Sequence, residues 1–434
     1  MTGYLVLAGF IALYALGAAR LEYLMVTGPI VFVVLGFVLG PELGSVVDPA
    51  VGSEIVRVVT GVTLAMLLFS DASSVNLRAL RRDASVLVLL LFVGLPLAVI
   101  IGAFSAWLLL PALGLATCAL LASILAPTDL SLGLAMFRNP RVPDRVRRTI
   151  NVESGLNDGV ATPVVMLFIG LVIAESEQDS LPFIAAIEEL AIGVGIGVAI
   201  GLAAGLLMRF SISRKWSTVA SRHFAALAFA LLAYGGALAL EGNGFIAAFV
   251  AGITFGAVNH ETATEAVEYV EKTGVLLTLA VWFIFGAAIA PVLLTDGLGW
   301  QPIVYALLSL TLVRMLAVAL ALLRKKLHWS TVLFVGWFGP RGLASVAFLI
   351  LALQSLSEAG IDTTLLAATA GWTILLSVIL HGISAGPVAT WYGKKAAGFA
   401  PGSPELEPTT LTKTRHGIAS PTSQLTTTEG DRTD

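Results

Sequence analysis

Residues 149–173 read TINVESGLNDGVATPVVMLFIGLVI. This apolar run is long enough to cross a bilayer, which takes about 20 residues. It contains four polar side chains that would share one wide face of a helix: Glu153, Ser154, Asn157 and Asp158. An ionisable group at the bilayer centre costs roughly 2.5–3.5 kcal/mol, so two carboxylates in one span indicate a functional role. The alternative is a polar turn in a loop.

The composition of the whole chain indicates a polytopic membrane protein. Of the 434 residues, 57% are hydrophobic and 12% are charged, about half the usual share of charge in globular proteins. That is too little charge for the surface of a soluble domain, and the chain is too apolar to be disordered. The net charge of −3 gives no basic excess for binding nucleic acid. Cys118 is the single cysteine, which excludes an internal disulfide and a cysteine-based zinc site.

Apolar runs between charged or turn clusters predict thirteen membrane spans, with boundaries good to about ±4 residues. The first run has no basic residue before it, so we expect it to be retained rather than cleaved as a signal peptide. From residue 397 the chain is rich in Thr, Ser and Pro, which predicts a transmembrane domain over 1–396 and a disordered tail over 397–434. The predicted spans are 3–19, 24–40, 54–70, 84–110, 113–136, 149–173, 182–208, 219–240, 243–258, 273–293, 301–323, 329–353 and 363–391.

The positions of Lys and Arg predict the orientation of these spans. With the N-terminus outside, 22 of the 25 basic residues fall in inside loops or in the tail. The remaining three, Arg57, Arg314 and Arg341, fall within spans, and the outside loops carry acidic residues instead. This positive-inside pattern predicts a multi-pass protein of the cell membrane (plasma or inner membrane) with a cytoplasmic tail.

Two spans contain a proline near the middle. Pro127 lies in LAPTD (residues 125–129) and Pro340 in GPRG (residues 339–342). Proline removes an amide and clashes with the preceding turn, so both helices should break. These are spans five and twelve. If span seven links spans 1–6 to spans 8–13, each broken span is the fifth of its six-span set. The second set then enters the membrane from the side opposite to the first. The pattern predicts two inverted six-helix repeats with crossed discontinuous helices.

Thr128 and Asp129 directly follow the first proline. They could simply cap the second half-helix, or they could line a cation site together with freed carbonyls, and both can hold at once. Arg341 would place a positive charge where the broken helices cross, with Glu153 as its predicted counter-ion. The alternative for Arg341 is a side chain that extends to the inner surface.

Two further ionisable residues fall inside predicted spans. Arg314 has no partner that the sequence identifies, and structural pairing is the favoured interpretation over a role in transport. His381 is interpreted as a packed helix histidine.

These segments together resemble the monovalent cation:proton antiporter-1 family, which includes the NhaP-type bacterial exchangers and the animal sodium/hydrogen exchangers. The matching stretches occur in the family's order and cover most of the membrane region. They are APTD (126–129), ES and ND (153–154 and 157–158), GPRG (339–342) and, more weakly, LFSDA (68–72) and GFIAAFVAG (244–252).

The resemblance implies an all-α membrane protein of about thirteen transmembrane helices that forms a homodimer and needs no cofactor. Its core domain would contain the helices of about 84–173 and 301–391. Its dimerisation domain would contain those of about 1–70 and 182–293.

The resemblance also assigns roles to site residues. The family's ion-binding aspartate falls on Asp158, and its structural glutamate–arginine pair falls on Glu153 and Arg341. The supporting ligands fall on Ser154, Thr128 and Asp129, with Asn157 beside the site. Gly155 departs from the family, where many members have a larger apolar residue.

A mechanism follows from the chemistry of one buried carboxylate. Burial favours its neutral form and a bound cation favours its ionised form, so Asp158 would hold a proton or a cation in turn. We therefore expect a transporter, not an enzyme, that exchanges sodium, or else lithium or potassium, for a proton. Asn157 cannot take a second proton, which favours one proton per cation. A cation channel, an intramembrane aspartyl protease and a solute symporter are the alternatives, although the protease motif Gly-x-Gly-Asp is absent.

Overall fold

The computed structural model describes residues 2–23, 26–40, 54–74, 85–133, 136, 139–177, 182–259, 262–295 and 299–407. Within these ranges the regular elements are helices and no strand occurs, so the predicted all-α class is confirmed. The predicted inside residues Arg78, Arg81, Arg82 and Arg138, and residues 408–434 of the predicted tail, lie outside the described residues.

The main helices are numbered here in chain order. Two of them, α4 and α11, each contain a π turn, at Leu90–Gly94 and Ser309–Val313. The helices are α1 (Thr2–Tyr23), α2 (Gly28–Leu39), α3 (Glu54–Ser74), α4 (Ser85–Leu109), α5 (Gly114–Ile124), α6 (Asp144–Glu177), α7 (Pro182–Ser213), α8 (Val219–Leu238), α9 (Gly244–Val258), α10 (Ala263–Thr295), α11 (Trp300–Leu322), α12 (Trp329–Trp337), α13 (Leu343–Glu358) and α14 (Thr364–Ala396).

Each predicted span overlaps at least one helix, and two helices begin well before their predicted spans. α6 begins five residues and α10 ten residues before the predicted spans. Both extensions carry charged pairs one helical turn apart, Asp144 with Arg147 and Glu268 with Lys272, which stabilise a solvated helix. A search for apolar runs misses these turns, because the helices continue where the apolar sequence ends.

The length and apolarity of the helices fit a polytopic membrane protein. Within the described residues, seven helices are long and apolar enough to cross a membrane: α3, α4, α6, α7, α10, α11 and α14. Shorter apolar helices accompany them, including α2, α9 and α13. The count of thirteen crossings and the inverted repeat stay predictions.

A stripe of glycines lets α7 approach the backbone of α9. Gly193, Gly197 and Gly201 recur every four residues, so they share one face of α7. A Cβ at any of the three would lie 2.6–2.7 Å from a backbone oxygen within residues 243–251. Helices in lipid associate through close packing of small residues rather than through the hydrophobic effect, so this spacing explains the pair.

The helices pack as two groups. α2, α3, α7, α8, α9 and α10 contact mainly one another, as do α4, α5, α6, α11, α12 and α14, whereas α13 contacts both groups. The two groups also touch each other: α3, α7 and α9 contact α6, and α2 and α10 contact α14. The division of the chain into a core domain and a dimerisation domain stays a prediction.

The segment after α14 folds back onto the helix bundle. A 3₁₀ turn at Pro404–Leu406 buries Glu405, whose side chain is 1% exposed. Its Oε1 accepts hydrogen bonds from the backbone N of His328 (2.7 Å) and from Oγ1 of Thr331 (2.9 Å). Glu405 therefore caps the N-terminus of α12 from a distant part of the chain.

Two further contacts hold this segment. Phe399 stacks on His328 with ring centroids 3.9 Å apart, and Arg145 of α6 pairs with Glu407 at 2.6 Å. The prediction of a disordered tail from residue 397 is therefore wrong over 397–407. The composition of this segment shows that it is polar and Pro-rich, but it does not indicate which residues of α6 and α12 the segment contacts.

We expect Glu405→Ala to lower the free energy of unfolding by about 1–3 kcal/mol, because two donors lose a buried acceptor. Glu407→Ala is the matched control. Its side chain is 58% exposed, so its ion pair should contribute about 1 kcal/mol or less. Melting of the purified protein in detergent measures both variants, and equal losses would contradict the capping role of Glu405.

Candidate functional site

The first proline break separates α5 from a short 3₁₀ turn at Leu130–Gly133. α5 ends at Ile124, and residues 125–129 are not helical. Pro127 has no amide to donate and its ring excludes the preceding turn. The carbonyls freed around the break lie in an apolar interior, so they need partners from other segments.

The second break meets the first. α12 ends at Trp337 and α13 begins at Leu343, with Pro340 between them. The backbone N of Asp129 donates to the carbonyl of Pro340 at 2.8 Å. The backbone N of Leu343 in turn donates to Oδ2 of Asp129 at 3.2 Å. Capping of its own half-helix was one of the two interpretations of Asp129, and in the structure its side chain caps α13.

The side chain of Arg341 joins the two breaks. It is 1% exposed, and its Nη1 donates to the carbonyls of Ala126 (2.9 Å) and Pro127 (3.3 Å). Its Nη2 donates to the carbonyl of Ser309 at 3.3 Å. Arg341 therefore binds carbonyls freed by the first proline, and the alternative of a side chain extended to the inner surface is excluded.

The buried counter-ion of Glu153 is Arg314. Nη2 of Arg314 lies 2.9 Å from Oε1 of Glu153, and the two side chains are 2% and 1% exposed. The predicted direct pair between Glu153 and Arg341 is wrong, because the guanidinium of Arg341 is directed at backbone carbonyls. Arg314 directly follows the π turn in α11. Arg314 was the mid-span arginine for which the sequence identified no partner, and the structure supplies Glu153 as that partner.

The polar face of α6 contacts the first break. Oγ of Ser154 donates to the carbonyl of Thr128 at 2.9 Å and accepts from the backbone N of Leu130 at 3.2 Å. Nδ2 of Asn157 donates to Oγ1 of Thr128 at 2.7 Å. The structure thus brings together Thr128, Ser154 and Asn157 of the predicted site.

Asp158 is buried on the same helix, one turn after Ser154. Its side chain is 4% exposed, and Oδ1 has no hydrogen-bond partner among the described residues. The next residue, Gly159, packs against the ring of Phe249 in α9, which a Cβ would approach to 2.1 Å. Asp158 therefore lies where the second helix group meets the first, and it carries an acceptor that a proton or a cation could occupy.

His381 is a packed histidine that holds the second break. Its Nε2 lies 3.0 Å from the carbonyl of Trp337, and its Nδ1 lies 3.0 Å from the carbonyl of Ser377. The hydroxyl of Ser377 accepts from the backbone N of Arg341 at 2.7 Å. These bonds fix the end of α12, in agreement with the structural interpretation of this residue.

Broken helices that meet around buried charges are the architecture in which secondary transporters hold their ion sites. The model of the family described as sodium/hydrogen exchanger, transmembrane, matches residues 7–391. The chain belongs to this family, so the predicted resemblance is confirmed.

Curated relatives are antiporters of two kinds. The K⁺/H⁺ antiporter NhaP of Alkalimonas amylolytica is 27% identical and the match covers 83% of this chain and 62% of that protein. The Na⁺/H⁺ antiporter of Schizosaccharomyces pombe is 23% identical over 82% of this chain and 83% of its own. The Na⁺/H⁺ antiporter NhaP of Pseudomonas aeruginosa is 28% identical, and the match covers 75% of this chain and 78% of that protein. The chain thus spans less than two thirds of the first of these relatives.

A solved structure shows the same fold. The sodium proton antiporter MjNhaP1 from Methanocaldococcus jannaschii at pH 8 superposes with a TM-score of 0.74 at 24% identity, over 90% of this chain and 98% of that one.

We expect Glu153→Gln to destabilise the protein by roughly 3–5 kcal/mol, because it leaves the buried guanidinium of Arg314 without its counter-ion. A double-mutant cycle of Glu153→Gln with Arg314→Gln should give a coupling energy of about 1 kcal/mol or more. The same cycle with Arg341→Gln should give a smaller value. The exposed pair of Glu54 and Arg57 is the control, and its double-mutant cycle should give a coupling energy of about 0.3–0.5 kcal/mol. Stronger coupling to Arg341 would contradict this pairing.

Gly342→Ala should disrupt the crossing of the breaks. A Cβ at Gly342 would lie 2.0 Å from the Cβ of Asp129, and both atoms belong to segments held by backbone hydrogen bonds. We expect a loss of about 3 kcal/mol or more, at the upper end of overpacking effects. Gly170→Ala in α6 is the control, because nothing lies within 4 Å of its added Cβ. Similar melting temperatures for the two variants would show that the crossing tolerates the extra atom.

Proposed function

We propose that this protein is a secondary active transporter that exchanges a monovalent cation for a proton at Asp158. The observation that carries the proposal is the unpartnered Oδ1 of this buried carboxylate, on the helix whose Ser154 and Asn157 contact the first break. Discontinuous helices at a repeat interface are where secondary transporters bind their ions. Membership of the exchanger family supports the reaction class, which is transport and not enzymatic catalysis.

The balance of buried charge supports a stoichiometry of one to one. Apart from His381, which carries no charge when neutral, five buried ionisable side chains lie on the segments that meet at the crossing: Asp129, Glu153, Asp158, Arg314 and Arg341. With the acids ionised, three negative charges face two positive ones, so a single negative charge is left. One proton or one monovalent cation neutralises it, and a buried net charge is costly. Exchange of the two at Asp158 would then move no net charge.

Glu153 and Asp129 are poor candidates for the proton carrier. Glu153 is held beside Arg314, which favours its ionised form. Oδ2 of Asp129 accepts the backbone N of Leu343, so its protonation would disturb the start of α13. Oδ1 of Asp158 has no such structural contact. Asp158 can therefore change its charge without loss of the hydrogen bonds that hold the two broken helices together.

Oxygen atoms near Asp158 suit a hard monovalent cation. The proposed ligands are Asp158, Ser154 and Thr128, with Asp129 as a further candidate and Asn157 beside them. Sodium is the favoured ion, with lithium or potassium also compatible. A potassium-selective antiporter is the second candidate, favoured by the K⁺/H⁺ relative. A cation channel would use the same polar groups without coupling to protons.

The remaining proposals concern the assembly and its orientation. We propose alternating access, in which the second helix group moves past the first with Asp158 loaded by a proton or a cation. The protein would be a homodimer in the cell membrane, with its N-terminus outside and its C-terminal segment in the cytoplasm, as the basic residues predict.

The test is cation-dependent proton movement in proteoliposomes, with sodium, lithium and potassium added in turn across a range of pH. Asp158→Asn should abolish this proton movement, because a neutral amide does not take up a proton in this pH range and cannot balance the charge of a bound cation. Since the proton and the cation compete, the apparent KM for the cation in the wild type should rise as the pH falls.

Asp362→Asn is the matched control. The backbone N of Thr364 donates to Oδ1 of Asp362 and lowers the pKa of that exposed carboxyl, so it stays ionised at neutral pH and should not carry protons. Retained exchange in Asp158→Asn would remove Asp158 as the carrier. Cation flux that ignores an opposing proton gradient would indicate a channel instead.

A further inference from the structure

A cavity of about 130 Å³ lies at the end of the bundle where predicted inside segments come together. Its wall contains residues from the start of α4, from α6, from the connection between α11 and α12, and from the C-terminal segment. Much of the wall is apolar: Val86, Val146, Leu322, Leu327 and Val335. An apolar wall at a predicted membrane boundary can accommodate the part of a lipid next to its head group.

Three basic side chains line the same cavity: Arg145, which is already bound to Glu407 and to the carbonyl of Pro404, and two lysines. Lys325 and Lys326 lie in the short connection between α11 and α12. Neither forms an ion pair with another described residue, so both are available to a ligand. A lysine at a membrane surface is a point charge that suits a phosphate group.

The cavity also contains a buried acid with an unused acceptor. Glu405 lines it and is 1% exposed. Oε1 binds the N-terminus of α12, but Oε2 has no hydrogen-bond partner among the described residues. A buried carboxylate oxygen without a donor is costly, so this oxygen points to a cationic donor that is supplied from outside the chain.

We propose that this cavity binds the head group of phosphatidylethanolamine, a phospholipid with a primary ammonium. The ammonium would donate to Oε2 of Glu405, and the phosphate would lie near Lys325 and Lys326. A choline head group carries no N–H donor, and a glycerol head group carries no positive charge for the carboxylate. The primary ammonium is the one feature that satisfies the acid, while the phosphate satisfies the lysines. This inference does not depend on the transported ion.

The experiment measures lipid binding to the purified full-length protein by native mass spectrometry, together with melting temperature in detergent. The probes are phosphatidylethanolamine, phosphatidylcholine and phosphatidylglycerol with identical acyl chains. One charge-assisted hydrogen bond corresponds to roughly tenfold in affinity. We therefore expect the wild type to bind the ethanolamine lipid roughly tenfold more tightly than the choline lipid, and to melt at a higher temperature with it.

Two variants separate the acid from the lysines. Glu405→Gln keeps an oxygen for His328 and Thr331 but replaces the unpartnered oxygen by an NH₂ group, so ethanolamine binding should fall to the level of choline. Lys325→Gln with Lys326→Gln should weaken all three lipids. Arg209→Gln with Arg214→Gln is the control, because it removes two basic residues from another predicted inside region, in and just after α7.

Four outcomes would overturn the proposal. The first is equal affinity of the wild type for the ethanolamine and choline lipids. The second is an ethanolamine preference that survives Glu405→Gln while the variant melts like the wild type. The third is tighter binding of phosphatidylglycerol that is lost in the lysine variant, which would make the cavity a site for anionic lipids. An equal effect of the Arg209 and Arg214 control would show nonspecific charge attraction, and that would also overturn it.

Discussion

The structure depends on one constraint, which is that backbone groups freed inside a membrane must find partners within the protein. Pro127 and Pro340 each interrupt a helix in the apolar interior. Their broken ends face each other, so the backbone N of Asp129 binds the carbonyl of Pro340, and Arg341 binds the carbonyls of Ala126 and Pro127. Each break supplies part of what the other lacks, and the close approach requires a glycine at position 342.

The crossing also organises the charge of the site. Arg314 neutralises Glu153, and Asp129 caps α13. These interactions leave Asp158 as the carboxylate whose Oδ1 has no partner among the described residues. Because its neighbours hold fixed charges in structural contacts, a change in the charge of Asp158 need not disturb the fold. This division between structural and exchangeable charge is the physical basis of the proposed antiport.

Most of the architecture was predictable from the sequence, because the membrane imposes simple rules on it. Apolar length located the helices, and proline located both breaks. Pairings across the bundle were harder to predict. Arg314 and Arg341 are both buried arginines, and only the direction of each side chain in space determines which of them reaches Glu153. The segment 397–407 was misjudged for a related reason, since the polar residues that composition assigns to a tail are bound by His328, Thr331 and Arg145.

The sequence by itself determined the membrane class, the helix positions, the exchanger family and the set of polar residues on α6, because these follow from local hydrophobicity, proline chemistry and motif order. The tertiary structure decided which charges are neutralised, which backbone groups are capped and how the C-terminal segment packs. Those properties depend on distances between residues that are far apart in the chain, as with the 161 positions that separate Glu153 from Arg314. Local sequence does not specify such distances, so only the folded chain could show that Asp158 has an unpartnered oxygen and, unlike Glu153, no ion pair with a described residue.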